Sequence, residues 1–329
     1  MPRFLVTGAN GFAASHLIGL LLARKDARVF GTVRKGAELS RIRHLAKNKN
    51  FRRVYCSLGD AKALQSAVHS SAPDFVFHLA AQSYVKGAPA ECTLNANVLG
   101  SFNLLEAVRR HAPDARVQIA GSSEEYGLVN ERSAPVLESA TLKPATIYGV
   151  SKAAMEFFGS AFHATYGMEI ITTRAFNHAG AGQNDNFVLS SWARQVAEIE
   201  AGKKGAAMPA GKGADAVLRV GNLEVRRDFL DVRDVVSAYV LCAEEGKAGE
   251  AYNVCSGTAP ALRGLLDALL RLTDKRIKVE TDTSLLRKSG VDIPLMLGDN
   301  GKLKALGWER RVTQEKMLAD LLDYWRARV

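Results

Sequence analysis

With 329 residues, 47% of them hydrophobic and 24% charged, and only nine prolines, the chain has room for one large domain or two closely joined ones; disordered, collagen-like and disulfide-dense classes are excluded. Its formal net charge of +10 is one local block, because eleven Lys/Arg between Arg24 and Arg53 face only Asp26 and Glu38, an excess of +9. That block reads as a solvated basic face or as a cofactor-phosphate site; nucleic acid is the weaker reading, since aromatics are not interleaved and no helix-turn-helix or zinc pattern is present.

Arg3 to Thr7 reads as a short apolar strand, Phe12 to Ala23 repeats apolar residues at helical spacing, and Ala27 to Val33 reads as a second strand, giving a βαβ unit. Strand-like runs follow at Arg53 to Ser57, Asp74 to Leu79, Arg116 to Gly121 and Met168 to Arg174, with helical stretches near Ala61 to Ser71, Asn97 to His111 and Tyr148 to Tyr166. This alternation predicts a parallel sheet covered on both faces. It weakens after Asn177; Ala201 to Ala216 reads as a surface loop, and helical patterns return at Ala261 to Leu272 and Thr313 to Arg328, the material of a smaller lobe. No apolar run reaches the ~18 residues of a membrane span. Met1 leads straight into a strand-like run, which predicts a cytoplasmic protein. The four cysteines, Cys56, Cys92, Cys242 and Cys255, are far apart, without CxxC or paired metal spacing, as buried thiols in a reducing compartment would be.

Chemistry concentrates at two places. The turn TGANGFAA, Thr7 to Ala14, ends the first strand and opens the first helix, where glycines admit a pyrophosphate and unpaired N–H groups point outward. A tight strand-to-helix turn is the plain alternative; the βαβ context favours dinucleotide binding, with Gly8, Asn10, Gly11 and Phe12 as candidate contacts. After the second strand, Thr32-Val33-Arg34-Lys35 replaces the carboxylate that NAD-selective folds use, so Arg34 is a candidate for a 2′-phosphate and NADP(H) is favoured over NAD(H). Asp60 is either an adenine contact or a surface aspartate. Further on, Tyr148 and Lys152 are four apart at a helix start and share one face, so the ammonium is expected to lower the phenol's pKa. Ser122, Ser123 and Glu124 end the strand before it, at the edge where ligands bind parallel sheets.

Together with HLAAQSYV (His78 to Val85), NVLGSFNLLEA (Asn97 to Ala107), GSSEEYG (Gly121 to Gly127), YGVSK (Tyr148 to Lys152), RAFNH (Arg174 to His178), RRDFLDVRDVVSAY (Arg226 to Tyr239) and YNVCSG (Tyr252 to Gly257), these motifs make nearly the whole chain resemble the extended short-chain dehydrogenase/reductases of nucleotide-sugar metabolism. The resemblance implies an α/β, Rossmann-type doubly wound parallel sheet with a smaller C-terminal substrate-binding lobe. Residues 1–178, with a return segment near 221–255, are expected to hold NADP(H), and 179–329 to be mainly the substrate-binding lobe. Within the family the motifs are most similar to enzymes that reduce GDP-4-keto-6-deoxy-D-mannose to GDP-D-rhamnose with NADPH; a GDP-mannose 4,6-dehydratase, or a related epimerase or dehydratase, is the alternative.

By that resemblance Tyr148 gives a proton to the sugar O4 as hydride reaches C4, Lys152 binds the nicotinamide ribose, and Ser122 hydrogen-bonds the reacting oxygen. Glu124 is the C5 base if the enzyme is a dehydratase and a structural carboxylate otherwise, with Ser123 beside it. Leu79, Ala80 and Ala81 leave room for the pyrophosphate, and His78 and His178 are packing residues. Asn177, Val188, Arg219, Arg227 and Arg287 are candidate contacts to the GDP-sugar, each arginine having a surface ion pair as its alternative. Helices near Asn97 and Tyr148 imply a homodimer or tetramer, with no nucleic-acid or membrane partner. The chain departs from the family pattern at Ala13, Ala14, Ile147, Ala181 and Lys288.

Overall fold

A computed structural model describes residues 1–83, 89–129, 131–203, 216–286 and 293–329. Its strands are β1 (Arg3–Thr7), β2 (Arg28–Val33), β3 (Phe51–Tyr55), β4 (Phe75–His78), β5 (Arg116–Ser122), β6 (Ile170–Ala175), β7 (Asn177–Ala179), β8 (Ala216–Val220), β9 (Arg226–Arg227), β10 (Phe229–Asp231), β11 (Ala251–Val254), β12 (Ile277–Thr281) and β13 (Leu295–Met296). The α-helices are α1 (Phe12–Leu22), α2 (Ala61–Ser71), α3 (Ala90–Leu94), α4 (Gly100–His111), α5 (Ile147–Tyr166), α6 (Val188–Glu200), α7 (Val232–Glu245), α8 (Leu262–Leu270), α9 (Gly301–Ala305) and α10 (Gln314–Arg326).

Seven strands form one parallel sheet in the order β3-β2-β1-β4-β5-β6-β11. The order reverses between β1 and β4, which opens a crevice outside their carboxyl ends, the place where doubly wound sheets bind ligands. Strands β1, β5 and β6 are buried nearly throughout, because helices cover both faces. On one face Leu17, Ile18 and Leu21 of α1 meet Val235, Val236 and Tyr239 of α7. On the other, Leu64 and Val68 of α2, Leu104 and Val108 of α4, and Met155 and Phe162 of α5 form a second core. Each such side chain contributes about 1.5–3 kcal/mol on leaving water. A third cluster joins α6, β8, α8 and α10 through Trp192, Leu218, Leu266 and Leu321.

Elements α7 and β11 arise inside the segment expected to return to the first domain, and β11 completes the sheet beside β6. Several elements differ from their sequence expectation, among them β3, the helix near Asn97 and α6. Strand β3 begins at Phe51, not Arg53, because Phe51 is buried against the core while Arg52 and Arg53 point outward from an edge strand. The helix expected from Asn97 opens with a wide π turn over Asn95–Leu99 that follows α3 directly. Helix α6 was not foreseen, and most of the expected loop at Ala201 to Ala216 lies outside the described residues. Among the described residues no helix is long and apolar enough to cross a membrane.

Candidate active site

At the end of β1 the chain turns through Gly8 with a φ of 69°, and a Cβ there would lie 2.9 Å from Ala80 Cα. Only glycine satisfies both demands, and its N–H donates to Thr32 Oγ1 at 3.1 Å. Gly11 precedes α1 without a side-chain cap, and the first turn of α1 carries no acidic residue, so the helix presents its first N–H groups to the crevice. This cradle fits a pyrophosphate. The side chain of Asn10 is occupied elsewhere: Nδ2 donates to Glu38 O at 2.6 Å and Oδ1 accepts Arg41 N–H at 3.1 Å, fastening the loop after β2. Phe12 stacks on His178, with ring centroids 6.0 Å apart.

Arg34 follows β2 directly and is exposed, with no carboxylate ending the strand. An exposed guanidinium at that strand end has the paired N–H donors to fork a phosphate. Asp60 caps α2 by accepting Ala63 N–H at 2.9 Å, a role its sequence position had not assigned. Leu79, Ala80 and Ala81 follow β4 half-buried, and Ala80 N–H donates to Thr7 Oγ1 at 3.0 Å. Beneath them His78 is fully buried between Thr7 Oγ1 at 2.9 Å and Ser101 Oγ at 2.8 Å, and burial, helped by the Lys152 charge, pushes its pKa down to about 3. The sequence expectation for His78 is a packing residue, and its buried position between two hydroxyls is that of one.

One strand further along, β5 ends at Ser122, which opens a single 3₁₀ turn over Ser123–Tyr126. Helix α5 docks onto that turn. Thr146 caps α5 by accepting Gly149 N–H at 2.9 Å, and donates its own hydroxyl to Glu124 Oε2 at 2.7 Å. A Cβ on Gly149 would lie 2.6 Å from Glu124 O, so a larger residue would lift the helix away. The docking brings Tyr148 beside the end of β5, close enough for the Ser122 hydroxyl to act on its phenol. Lys152, buried one turn along, donates to Ala120 O at 2.6 Å, its Nζ 5.8 Å from the centre of the Tyr148 ring.

The electrostatics correct one expectation. The Tyr148 pKa is raised, not lowered: burial is the largest cause, followed by the neighbouring Glu124 and Tyr239, with the Ser122 hydroxyl opposing. The ammonium of Lys152 sits beside the ring and is bound to a carbonyl, and its own pKa is pushed down to about 8 by burial against the opposing pull of Glu125. Tyr148 is therefore a neutral phenol near neutrality, a proton donor rather than a base.

Of the candidate substrate residues, Ser123 is buried under α5 and Asn177, on β7, donates to Asp228 O at 3.4 Å. Val188 opens α6, whose N-terminus lacks a side-chain cap. Arg219 is exposed on β8, its N–H held by Gln195 of α6 at 2.9 Å, and Arg227 lies half-buried on β9. Arg287 falls outside the described residues. Sequence reasoning missed Thr146, although a threonine two residues before Tyr148 at a helix start is a cap signal. It also missed Asp228, whose buried carboxylate accepts Ser256 N–H at 2.7 Å and Gly257 N–H at 3.0 Å, with burial raising its pKa to about 6. Its place beside Arg227 in RRDF was the available signal.

The family model for GDP-mannose 4,6 dehydratase matches residues 5–321. The chain belongs to this family. GDP-6-deoxy-D-mannose reductase of Pseudomonas aeruginosa is 33% identical over 331 residues, covering 99% of this chain and 98% of that protein. GDP-mannose 4,6 dehydratase 2 of Arabidopsis thaliana is 30% identical over 336 residues, 97% of this chain and 85% of that protein. A solved structure described as RMD from Pseudomonas aeruginosa complexed with NADPH superposes with a TM-score of 0.83 at 30% identity, covering 99% of this chain and all of that one. The motif resemblance is thus borne out over the whole chain, and the crevice at β1, β4 and β5 is where this family member gathers its cradle, Ser122, Tyr148 and Lys152.

Proposed function

We propose that the protein reduces the C4 ketone of GDP-4-keto-6-deoxy-D-mannose to GDP-D-rhamnose with NADPH. The observation that carries this reading is a neutral Tyr148 set against Ser122 at the end of β5, one strand from a dinucleotide cradle whose second strand ends in Arg34 rather than a carboxylate. When bound, NADPH supplies the hydride. Residues 1–178 with 221–255 hold the cofactor, through Gly8, Asn10, Gly11, Phe12, Arg34, Asp60 and Leu79 to Ala81, and the rest of 179–329 receives the sugar nucleotide. Tyr148 protonates O4, the Ser122 hydroxyl donates to the same oxygen, and Lys152 orients the ribose beside the phenol. Ser123, Asn177, Val188, Arg219, Arg227 and Arg287 are assigned to the GDP-sugar, with arginine forks suited to its diphosphate.

Glu124 supports a second reading, a GDP-mannose 4,6-dehydratase, because its half-buried side chain carries a carboxylate two residues from Ser122, held by the Thr146 hydroxyl at the start of α5. Two parallel anaerobic assays separate them. Stoichiometric loss of NADPH absorbance with the keto sugar is the expected result; conversion of GDP-mannose and NADP⁺ to a keto sugar without net cofactor change would overturn the reduction in favour of the dehydratase.

Substituting Arg34→Ala should raise the KM for NADPH by ~10–100-fold, the equivalent of one charge-assisted hydrogen bond of about 1.5–3 kcal/mol, and leave the KM for NADH alone. Equal effects on both cofactors would remove Arg34 from the 2′-phosphate.

We infer that a second copy covers the exposed apolar face formed by Leu99, Phe102 of α4 and Val150, Phe157 and Tyr166 of α5, giving a homodimer or a tetramer built from it. Light scattering at micromolar concentration should therefore report a multiple of the 35.6 kDa chain mass, and the mass of one chain would exclude it.

A further inference from the structure

Glu125 is fully buried next to the reacting groups and has no part in the mechanism above. Its carboxyl and the Ser122 backbone form a reciprocal cap: Glu125 Oε1 accepts Ser122 N–H at 2.6 Å, while Ser122 Oγ accepts backbone N–H groups of the 3₁₀ turn, that of Glu124 at 3.2 Å. With its acceptor positions engaged by backbone donors, the serine hydroxyl is left as a donor. Room for the carboxyl exists because residue 121 is glycine; a Cβ there would lie 2.6 Å from Glu125 Oε1. The other oxygen, Oε2, is buried without a hydrogen-bond partner and lies 4.0 Å from Arg174 Nε. Arg174 already grips Glu156 with two N–H groups, at 2.9 and 2.5 Å. Arg174 is thus committed to Glu156, and a proton on the orphaned Glu125 oxygen leaves no uncompensated charge beside that pair.

We propose that Glu125 is a positioning residue for the ketone reduction: buried beside the Arg174–Glu156 pair and capping the Ser122 backbone, it fixes the end of β5 so that the Ser122 hydroxyl can only donate toward the substrate oxygen. The assignment rests on the reductase reading. Its energetic source is geometric, since misplacing such a donor by about 1 Å lowers a rate by ~10²-fold. Burial, and then the nearby Glu156 charge, raise the Glu125 pKa well above the usual carboxylate range, consistent with that geometry.

The test compares Glu125→Leu, Glu125→Gln, Ser122→Ala and the Ser122→Ala/Glu125→Leu pair in the full-length chain. Glu125→Leu should lower kcat by ~10–100-fold with the KM for NADPH unchanged, and glutamine, which keeps an acceptor for Ser122 N–H and offers a donor to Glu156, should recover most of that loss. The paired variant should fall no further than Ser122→Ala alone, because both act through one hydroxyl. Independently of turnover, hydrogen exchange of the Ser122 amide should be slow in the wild type and in Glu125→Gln and fast in Glu125→Leu. A full rate in Glu125→Leu, a glutamine variant as slow as leucine, additive losses, or unchanged exchange would each overturn the assignment. If the wild type consumes no NADPH with the keto sugar, the reductase reading fails, and the exchange comparison still decides whether Glu125 holds Ser122.

Discussion

Replacing Tyr148 by phenylalanine should lower kcat by ~10²–10⁴-fold, the usual worth of a positioned acid, and leave the affinity for NADPH within a factor of about two. Only the hydroxyl is removed; the ring still packs 5.8 Å from the Lys152 ammonium, and Lys152 keeps its bond to Ala120 O. The pH profile of the wild type carries the same assignment. Tyr148 stays a neutral phenol because burial, and then the charge of Glu124, raise its pKa, so the alkaline limb of kcat/KM should belong to Lys152, whose pKa is pushed down to about 8. Rate should decline as pH rises through that value and the ammonium is lost. Stability moves the other way. The folded lysine titrates near 8 against 10.5 when free, so between these values the unfolded chain binds the extra proton and this group's contribution to stability grows with pH. A falling rate with unimpaired thermal stability is therefore the signature, measured by initial rates and melting curves on the same samples. Undiminished turnover in Tyr148→Phe, or a limb below pH ~7, would remove Tyr148 and Lys152 from their roles.

Local pattern carried the parts of the molecule that depend on neighbours in sequence. Strand β1 has the predicted bounds, and α1 and α2 lie within one residue of theirs, because buried strands read as apolar runs and helix faces repeat every three to four residues. Ser122, Tyr148 and Lys152 were legible because spacing and strand-end position are sequence properties. The pairing of β8 with β12 was not, since Ala216 and Ile277 meet only through the fold. Nor could the direction of the Tyr148 shift be read, because the largest cause is burial and the next is a carboxylate on another element. Glu124 and Glu125 look alike in GSSEEYG, yet one is half-buried against Thr146 and the other is sealed in the core; that difference is set by β5 and α5 closing over the turn.

The same sealed cluster gives the largest stability effect. Arg174→Met should destabilise the protein by about 3–5 kcal/mol, the typical penalty for breaking a buried ion pair from one side. Arg174 is 5% exposed and joins three elements: Nε and Nη2 hold Glu156 of α5, while Nη1 donates to Tyr126 OH at 2.8 Å and Glu138 O at 2.9 Å. Tyr126 in turn donates to Asn253 Oδ1 of β11 at 2.6 Å, so the guanidinium ties β6, α5, the 3₁₀ turn and the sheet edge together. Methionine fills much of the volume but supplies no counter-charge to two buried carboxyls. The loss should be larger at pH 8 than at pH 5.5. Glu125 is already held well above the usual carboxylate range by burial and Glu156, with Arg174 opposing; without that opposition the folded variant binds protons that the unfolded chain releases, and its stability falls as pH rises. Removing Glu156 as well, in Arg174→Met/Glu156→Leu, should recover a substantial part of the loss, because the carboxylate that Arg174 paired disappears with it. Urea titrations at the two pH values check this. A single-variant loss below about 1 kcal/mol, a loss independent of pH, or a double variant no more stable than the single one would show that packing around Arg174, rather than charge compensation, holds the cluster together.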